Sequence, residues 1–355
     1  MIKIYEKYLI KDFLKSILLV SAVFFSIVSI LNMLEELSYF KNMDVSILLP
    51  VLLNFLNAPS VLYGIFPFIF LIATQFFLLN IIEKNELIVL KNFGIDNFRL
   101  VKMLTYVSFI TSLLIIIIFY NLSAKLKYAY LDIKNDYASD DKYLAVITEN
   151  GLWIKDEIKE NINIINANKM DGEFLLNVTI TQFDKNFEIL RVIQSNKVNI
   201  SNYTWKILEP RISEENTKTI AKVMELQSNF DLKKINSLFS NLSSLTVFKL
   251  IELRKSYKIL RYSLVDIDSH LYRVISYPIY LTLITIFSSI IMFNIGYQKN
   301  TFYKITLGIF LSVIIYYINY FLNILGTNEK IPLILSVFMP LVMLSIINCT
   351  SIIKI

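Results

Sequence analysis

The chain offers few residues from which a catalytic or metal site could be built. It has one histidine, His270, and one cysteine, Cys349, whereas a structural zinc site is usually held by four Cys or His ligands. A Ser-His-Asp site would have to use His270 with the nearby Asp266 or Asp268. A polar residue at the end of a membrane helix is the simpler interpretation of His270. We therefore expect neither a catalytic residue nor a bound metal.

The glycines argue against nucleotide hydrolysis by this chain. A phosphate-binding P-loop needs two glycines five residues apart, followed by Lys and then Ser or Thr. The seven glycines lie at positions 64, 94, 151, 172, 296, 308 and 326, and no two of them are that close. If the chain takes part in an energy-driven process, a partner must bind the ATP. No cofactor is therefore expected on this chain.

One short segment, Glu83–Asp96, has the pattern of a docking helix. Its apolar residues recur at three-residue spacing: Leu87, Leu90 and Phe93. This spacing predicts a single apolar face on a short helix. Gly94 is expected to end that helix, and the next helix to begin at Asp96 or Asn97. Such a helix could lie on lipid headgroups or dock into a groove of a soluble protein, and the segment alone fits both.

The elements that must position this segment are six stretches without Asp, Glu, Lys or Arg. They cover residues 16–34, 45–82, 103–124, 274–298, 305–328 and 331–353. About 20 apolar residues cross a bilayer core as a helix, because in lipid the backbone must satisfy its own hydrogen bonds. Within the long second stretch, Pro59 suggests that the crossing starts there, after a short surface helix. The sequence predicts three plus three membrane helices around a polar block from Lys125 to Arg273.

Basic residues beside the spans predict the orientation. If the N-terminus is cytosolic, eleven of them lie on the cytosolic side: Lys3, Lys7, Lys11, Lys15, Lys84, Lys91, Arg99, Lys102, Lys299, Lys304 and Lys354. Only Lys41 and Lys330 then lie in the short outer loops. The positive-inside rule predicts cytosolic N- and C-termini and an external polar block. This topology accounts for the net charge of +6, so we expect no nucleic-acid binding. The spans contain no Asp, Glu, Lys, Arg or His, which argues against a proton-driven transporter.

The first part of the polar block has a strand pattern. Runs rich in Ile, Val, Thr, Phe and Trp, separated by turn-forming residues, lie at 143–148, 161–168, 175–183, 190–194 and 203–208. Many short strands at near-regular spacing predict a sandwich or an open barrel. A helix from about Leu245 to Lys258, capped by Ser243-Ser244, would return the chain to the membrane. The pattern fits an inert ectodomain and equally a surface that handles a lipid or a partner.

An ordered set of short motifs closely resembles the LptF/LptG permeases, the membrane subunits of the lipopolysaccharide exporter. They are Asn57-Ala-Pro-Ser60, Phe66-Pro67, Glu86–Gly94, Gly151-Leu-Trp-Ile-Lys-Asp156, Trp205, Arg261-Tyr262, Tyr277-Pro278, Gly308, Ile331-Pro332 and Met339-Pro340. The resemblance covers almost the whole chain, and the segment Gly151–Asp156 is more similar to LptG than to LptF. It implies an α-helical membrane protein with six transmembrane helices flanking a periplasmic β-jellyroll. The implied divisions are a first bundle at 1–124, the jellyroll with a connecting helix at 125–265, and a second bundle at 266–355.

The resemblance also implies partners and a mechanism. An LptF-like permease would pair with this chain in the cell inner membrane and enclose a cavity that lipopolysaccharide enters. A cytosolic LptB-like ATPase dimer would bind ATP and drive the collapse of the cavity. An LptC-like single-pass protein would contribute a helix at the gate, and the lipid would pass through the jellyrolls to a periplasmic bridge.

Individual residues acquire roles from the same resemblance. The coupling helix, at about 83–96, would contact the ATPase through Glu86, Leu87, Leu90, Lys91, Phe93 and Gly94. Candidate substrate contacts are Lys41, Lys125, Lys127 and Lys134 for phosphates, and Tyr316 and Tyr320 for acyl chains. The lysines also fit a solvated rim, and the tyrosines also fit helix packing or an interfacial belt. The chain departs from the family at Glu35-Glu36, where paired basic residues often stand.

Two other classes of function remain as alternatives. A membrane-anchored periplasmic sensor or structural protein would need a cytosolic output module, but the predicted cytosolic parts are a short tail and two short loops. A glycolipid-modifying membrane enzyme would have to act through His270. The residues favour the permease.

Overall fold

The computed structural model describes residues 4–41, 43, 45–137, 143–148, 151–158, 161–184, 187–214, 217–232, 235, 242–260, 263–294 and 301–352. Several residues named above lie outside these ranges: Lys3, Arg261, Tyr262, Lys299 and Lys354. The chain divides into two compact units. One comprises Met1–Tyr130 and Asp268–Ile355, and the other is Leu131–Ile267.

Six helices of the described residues are long and apolar enough to cross a membrane. Those before the sheet are α1 (Ile4–Tyr39), α2 (Leu48–Glu83) and a third that joins α4 (Asn97–Leu114), a π-helical turn (Ile115–Tyr120) and α5 (Asn121–Asp136). Those after it are α7 (Val265–Asn294), α8 (Thr301–Thr327) and α9 (Leu333–Ile352). Shorter helices are α3 (Glu86–Asn92) and α6 (Val247–Leu260). The predicted arrangement of three plus three spanning helices around an insert is confirmed.

Helix α2 differs from the prediction of a separate surface helix before Pro59. It is one continuous helix of 36 residues with Pro59 and Pro67 inside it. Residues on both sides of Pro59 are buried, including Leu53, Asn54 and Leu62. Proline has no amide hydrogen, so Pro59 and Pro67 each remove one hydrogen bond of the helix. Packing along the whole length keeps the helix continuous, and prolines are tolerated in membrane helices in this way.

Helices α1 and α2 are antiparallel and share an apolar core. The buried residues of α1 recur every three or four positions, as at Leu9, Phe13 and Ile17, which is the period of one helix face. The ring of Phe13 lies 5.3 Å from that of Phe77 on α2. The opposite face of α1 exposes apolar side chains, as a helix in contact with lipid or another membrane helix must.

Helix α7 is the most buried of the six and is joined to its neighbours by polar contacts. Ser108 and Thr285 join it to α4, with their hydroxyl oxygens 2.8 Å apart. Ser288 donates to a carbonyl of α2 at 2.8 Å, and Asn348 of α9 donates to the Leu283 carbonyl at 2.9 Å. Such interhelical hydrogen bonds, with close packing, hold membrane helices together where no hydrophobic force operates between them.

Gly308 provides a direct test of how α8 packs on α2. A Cβ atom at Gly308 would lie 1.9 Å from Nε2 of Gln75, whereas one at Gly64 would meet nothing within 4 Å. Gln75 is fully buried, so we expect Gly308→Ala to destabilise the protein by about 1–3 kcal/mol through overpacking. Gly64→Ala should be neutral or stabilising by up to about 1 kcal/mol. Thermal unfolding in detergent measures both, and equal melting temperatures for the two variants would contradict this packing.

Nine strands among the described residues of the second unit form one antiparallel sheet. Its strands are β1 (Tyr143–Thr148), β2 (Gly151–Ile158), β3 (Asn161–Asp171), β4 (Phe174–Phe183), β5 (Ile189–Asn199), β6 (Thr204–Leu208), β7 (Arg211–Glu214), β8 (Thr217–Ile220) and β9 (Val223–Gln227). Consecutive strands pair from β1 to β6; β9 pairs with β6, β7 with β5, and β8 with β7. The predicted β insert is confirmed, and its described strands form an open sheet.

One face of the sheet carries the core of this unit. Ile154, Ile165, Ile180 and Ile193 are direct cross-strand partners on β2 to β5, and all four are buried. The indole of Trp205 is also fully buried, and its Nε1 donates to the Phe230 carbonyl at 2.6 Å. Cross-strand apolar rows of this kind set the register of the sheet.

This unit differs from the sequence prediction in its strands and in its connecting helix. Strand β2 was not predicted, because Lys155, Asp156 and Glu157 interrupt its apolar residues, yet pairing on both sides holds it in the sheet. Helix α6 begins two residues later than the predicted 245–258 helix. The predicted capping residues were Ser243 and Ser244. The observed capping side chain is Thr246, whose Oγ1 accepts a hydrogen bond from the Lys249 amide at 3.4 Å.

Candidate coupling site

Helix α3 is a rigid seven-residue element with defined ends. It follows Asn85, which has a left-handed backbone with φ 58°. At its other end Gly94 is left-handed, with φ 76°. The Gly94 amide donates to the Lys91 carbonyl at 2.9 Å, and the Ile95 amide to the Leu90 carbonyl at 3.0 Å. This hydrogen-bond pair is the Schellman motif, so the predicted role of Gly94 as the stop residue is confirmed.

The next helix starts immediately after this stop. Asp96 is the N-cap of α4, and its carboxylate accepts from the Arg99 amide at 2.8 Å. Arg99 Nη1 in turn donates to the Gly94 carbonyl at 3.3 Å. The junction between α3 and α4 is thus held from both sides, which gives α3 a fixed direction relative to the spanning helices.

The faces of α3 are not those that the three-residue spacing suggested. Leu87 is 2% exposed and belongs to the core shared by α1, α2 and α4, and Leu90 packs against that core. The residues that point outward are Ile88, Val89 and Phe93, and Phe93 is 80% exposed. Of the apolar residues predicted to fill partner pockets, Leu87 and Leu90 therefore anchor the helix to its own chain. Phe93 remains on the outer face.

Glu86 and Lys91 occupy different surroundings on the same helix. Tyr8 Oη of α1 donates a hydrogen bond to Glu86 Oε1 at 3.0 Å, so α3 is tied to the beginning of the first spanning helix. Lys91 is exposed, as are Lys84 and Arg99 on either side of α3. The site thus presents an apolar knob with basic residues beside it. A surface of this kind can bind in a groove on a protein.

The left-handed backbone at Gly94 can be tested by substitution. A Cβ there would meet nothing within 4 Å, so Gly94→Ala should cost about 1–2 kcal/mol through backbone strain alone. Gly94→Asn should cost less, because asparagine tolerates this conformation. Thermal unfolding of the purified chain measures both variants. Wild-type stability of the alanine variant would show that the tight turn after α3 is not required.

The predicted lysine contacts differ in burial. The third spanning helix contains a π-helical turn, which holds one residue more than a regular turn. The buried residues before it include Ser108 and Ser112, and those at its end and after it include Tyr120 and Ala124. Lys127, three residues after buried Ala124, is half-buried on α5, whereas Lys125, two residues away, is exposed. Lys41 is exposed and Lys134 is half-buried. Their predicted role in binding phosphates stays a prediction.

Tyr316 and Tyr320 lie on the exposed surface of α8. Their rings are stacked, with centroids 6.4 Å apart and planes within 9° of parallel. Phe68 of α2 is 5.6 Å from Tyr316. These rings form an apolar strip that spans two helices, and an acyl-chain contact remains a prediction for it.

His270 was predicted to lie at the end of the fourth span, and it lies within the first turns of α7. Its Nε2 is 2.9 Å from Tyr120 Oη. Among the described residues, no group of three or more His, Cys, Asp and Glu side chains could hold a metal ion. The sequence interpretation missed Tyr120 as a partner, because the two residues are 150 positions apart and no local pattern links them.

Comparison with protein families gives a match over nearly the whole chain. The family model described as lipopolysaccharide export system permease LptF/LptG matches residues 7–354. The match includes both sets of spanning helices, α3 and the whole sheet. One model represents both permeases of that family. A search of curated proteins gives no match.

Proposed function

Because the chain belongs to the LptF/LptG family of lipopolysaccharide export permeases, we propose that it is a transmembrane subunit of an ABC exporter that extracts lipopolysaccharide from the inner membrane. A separate cytosolic ATPase dimer, similar to LptB, would supply the energy. The single observation that carries the proposal is the family match over almost the whole chain. It agrees with six apolar helices and a β insert between the third and the fourth.

Helix α3 is the proposed contact with the ATPase. Its support is geometric: a short helix whose ends are fixed by Gly94 and Asp96, with Phe93 projecting from it. In protein interfaces a few residues, often aromatic side chains buried in a pocket of the partner, provide most of the binding energy. Phe93 is exposed and can be buried in this way. This proposal places α3 and both termini in the cytosol, and the sheet in the periplasm, in agreement with the positive-inside rule.

The remaining partners follow from the same proposal. A second permease, LptF-like if this chain takes the LptG role, would face α1 and α8, whose outer faces are apolar and exposed. The segment Gly151–Asp156 supports the LptG role. An LptC-like single-pass protein and a periplasmic bridge would take the lipid from the sheet. The chain would act as a transport subunit and not as an enzyme.

The test is purification of the tagged chain from its native membrane in mild detergent, with identification of the bound proteins and lipid. A stoichiometric ATPase, a second six-helix permease and bound lipopolysaccharide are the expected result. A double variant, Glu86→Ala with Phe93→Ala, is expected to lose the ATPase and keep the second permease. Recovery of the wild-type chain alone, or with unrelated proteins, would refute the exporter assignment.

A further inference from the structure

The third spanning helix contains a π-helical turn that its own sequence does not require. The turn covers Ile115–Tyr120, within a helix that is otherwise regular from Asn97 to Asp136. Its residues are four isoleucines, a phenylalanine and a tyrosine, without glycine or proline. Kinks and wide turns have identifiable causes, and here the cause must lie in contacts around the turn. Single π turns inside α-helices occur frequently at functional sites.

One such contact satisfies the backbone inside the turn. Asn121 Nδ2 donates to the Ile117 carbonyl at 2.9 Å and to the Ile116 carbonyl at 3.3 Å. A π turn takes carbonyls of this segment out of the regular i to i+4 pattern, and a carbonyl without a donor inside a membrane is costly. The Asn121 side chain supplies donors at the place where the widened turn needs them.

A second contact ties the end of the turn to α7. Tyr120 is the last residue of the turn, and its hydroxyl lies 2.9 Å from His270 Nε2. Its ring is 5.0 Å from that of Tyr63 on α2, and Tyr63 stacks on Tyr277 of α7 with centroids 4.6 Å apart. The Tyr277 hydroxyl donates to the Tyr63 carbonyl. Tyr120 therefore enters a buried cluster that joins three spanning helices.

This cluster is not fully satisfied in the observed arrangement. The Tyr63 hydroxyl is buried, and it forms no hydrogen bond with any described residue. A buried polar group of this kind costs free energy unless another arrangement gives it a partner. The rings of Tyr63 and Tyr120 are in contact, so a movement of the turn that carries Tyr120 would also change the surroundings of the Tyr63 hydroxyl.

We propose that His270 is a positioning residue for transport, which acts through Tyr120 to hold the π turn, and that the third spanning helix bends at this turn during the transport cycle. The inference rests on the proposed export function. A turn with one residue more than a regular helix can release that residue into an α-helical turn, and this rotates the two halves relative to each other. Transport needs this movement, whereas folding and assembly do not.

The sharpest test deletes one residue from the turn. Removal of Ile117 permits a regular α-helix in which the buried faces before and after the turn keep their directions. We expect the deletion variant to retain the ATPase, the second permease and bound lipopolysaccharide, but to lose transport to the bridge in proteoliposomes. Ile117→Ala is the matched control, because Ile117 is exposed and alanine keeps the length. Wild-type transport by the deletion variant would overturn the proposal.

Point variants answer the same question without a change of length. Tyr120→Phe and His270→Ala should lower transport at unchanged ATPase binding, and His270→Gln, which keeps a hydrogen-bonding group, should restore part of it. Transport at the wild-type rate by Tyr120→Phe and His270→Ala would overturn the role of His270. If the wild-type chain binds neither ATPase nor lipopolysaccharide, the proposed export function is refuted. If the wild-type chain binds both and the variants transport normally, only the proposed role of the turn is refuted.

Discussion

Phe93→Asp should release the proposed ATPase partner from this permease while the chain stays folded. Phe93 is 80% exposed, so the fold gains little from its ring. A partner that buries a phenylalanine gains about 1.5–3 kcal/mol, and an aspartate in the same pocket would be an unpaired charge away from water. We expect a loss of about 3 kcal/mol, or about a hundredfold in affinity. The amount of ATPase that co-purifies with the tagged chain measures the loss.

A control of equal exposure separates a specific contact from a general effect of added charge. Phe248 on α6 is also 80% exposed and lies in the unit that carries the sheet. Phe248→Asp should leave the ATPase bound, and both variants should unfold at the wild-type temperature. Retention of the ATPase by Phe93→Asp would remove the main support for α3 as the coupling helix.

Asp156→Ala should produce a large loss of stability in the unit that carries the sheet. The Asp156 carboxylate is fully buried on β2. It accepts hydrogen bonds from Ser228 Oγ at 2.8 Å, from Asn229 Nδ2 at 2.8 Å and from the Asn229 amide at 3.1 Å. These bonds fasten the segment after β9 to β2, 72 residues earlier in the chain.

The expected size of this effect follows from what the alanine variant leaves behind. Each buried donor that is left without an acceptor costs about 1–3 kcal/mol, so we expect a total of about 3 kcal/mol. Limited proteolysis and thermal unfolding of the purified chain would report it. Asp171→Ala, at the exposed turn between β3 and β4, is the control and should change stability by less than about 0.5 kcal/mol. Similar results for the two variants would contradict the assigned network.

Sequence patterns were most reliable where a property is set locally. Six stretches without charge predicted six spanning helices, because a charged side chain in lipid is costly wherever it lies along the helix. The end of α3 at Gly94 and the beginning of α4 at Asp96 were also predicted. Both depend on backbone conformations and short hydrogen bonds within a few residues.

The outward face of α3 needed the tertiary structure. This helix has apolar residues on both sides, and three-residue spacing selected Leu87, Leu90 and Phe93 together. Packing against α1, α2 and α4 takes Leu87 and Leu90 into the core and leaves Ile88, Val89 and Phe93 outside. A helix of seven residues is too short for its own pattern to choose between two apolar sides.

The amino-acid sequence by itself determined the number of spanning helices, the place of the β insert and the ends of α3, because bilayer thickness and local backbone chemistry act on neighbouring residues. Only the tertiary structure decided that β2 is a strand, that Lys127 is half-buried while Lys125 is exposed, and that His270 meets Tyr120. These features depend on contacts between segments far apart in the chain. Such contacts exist only after the helices and strands have packed, so no local pattern encodes them.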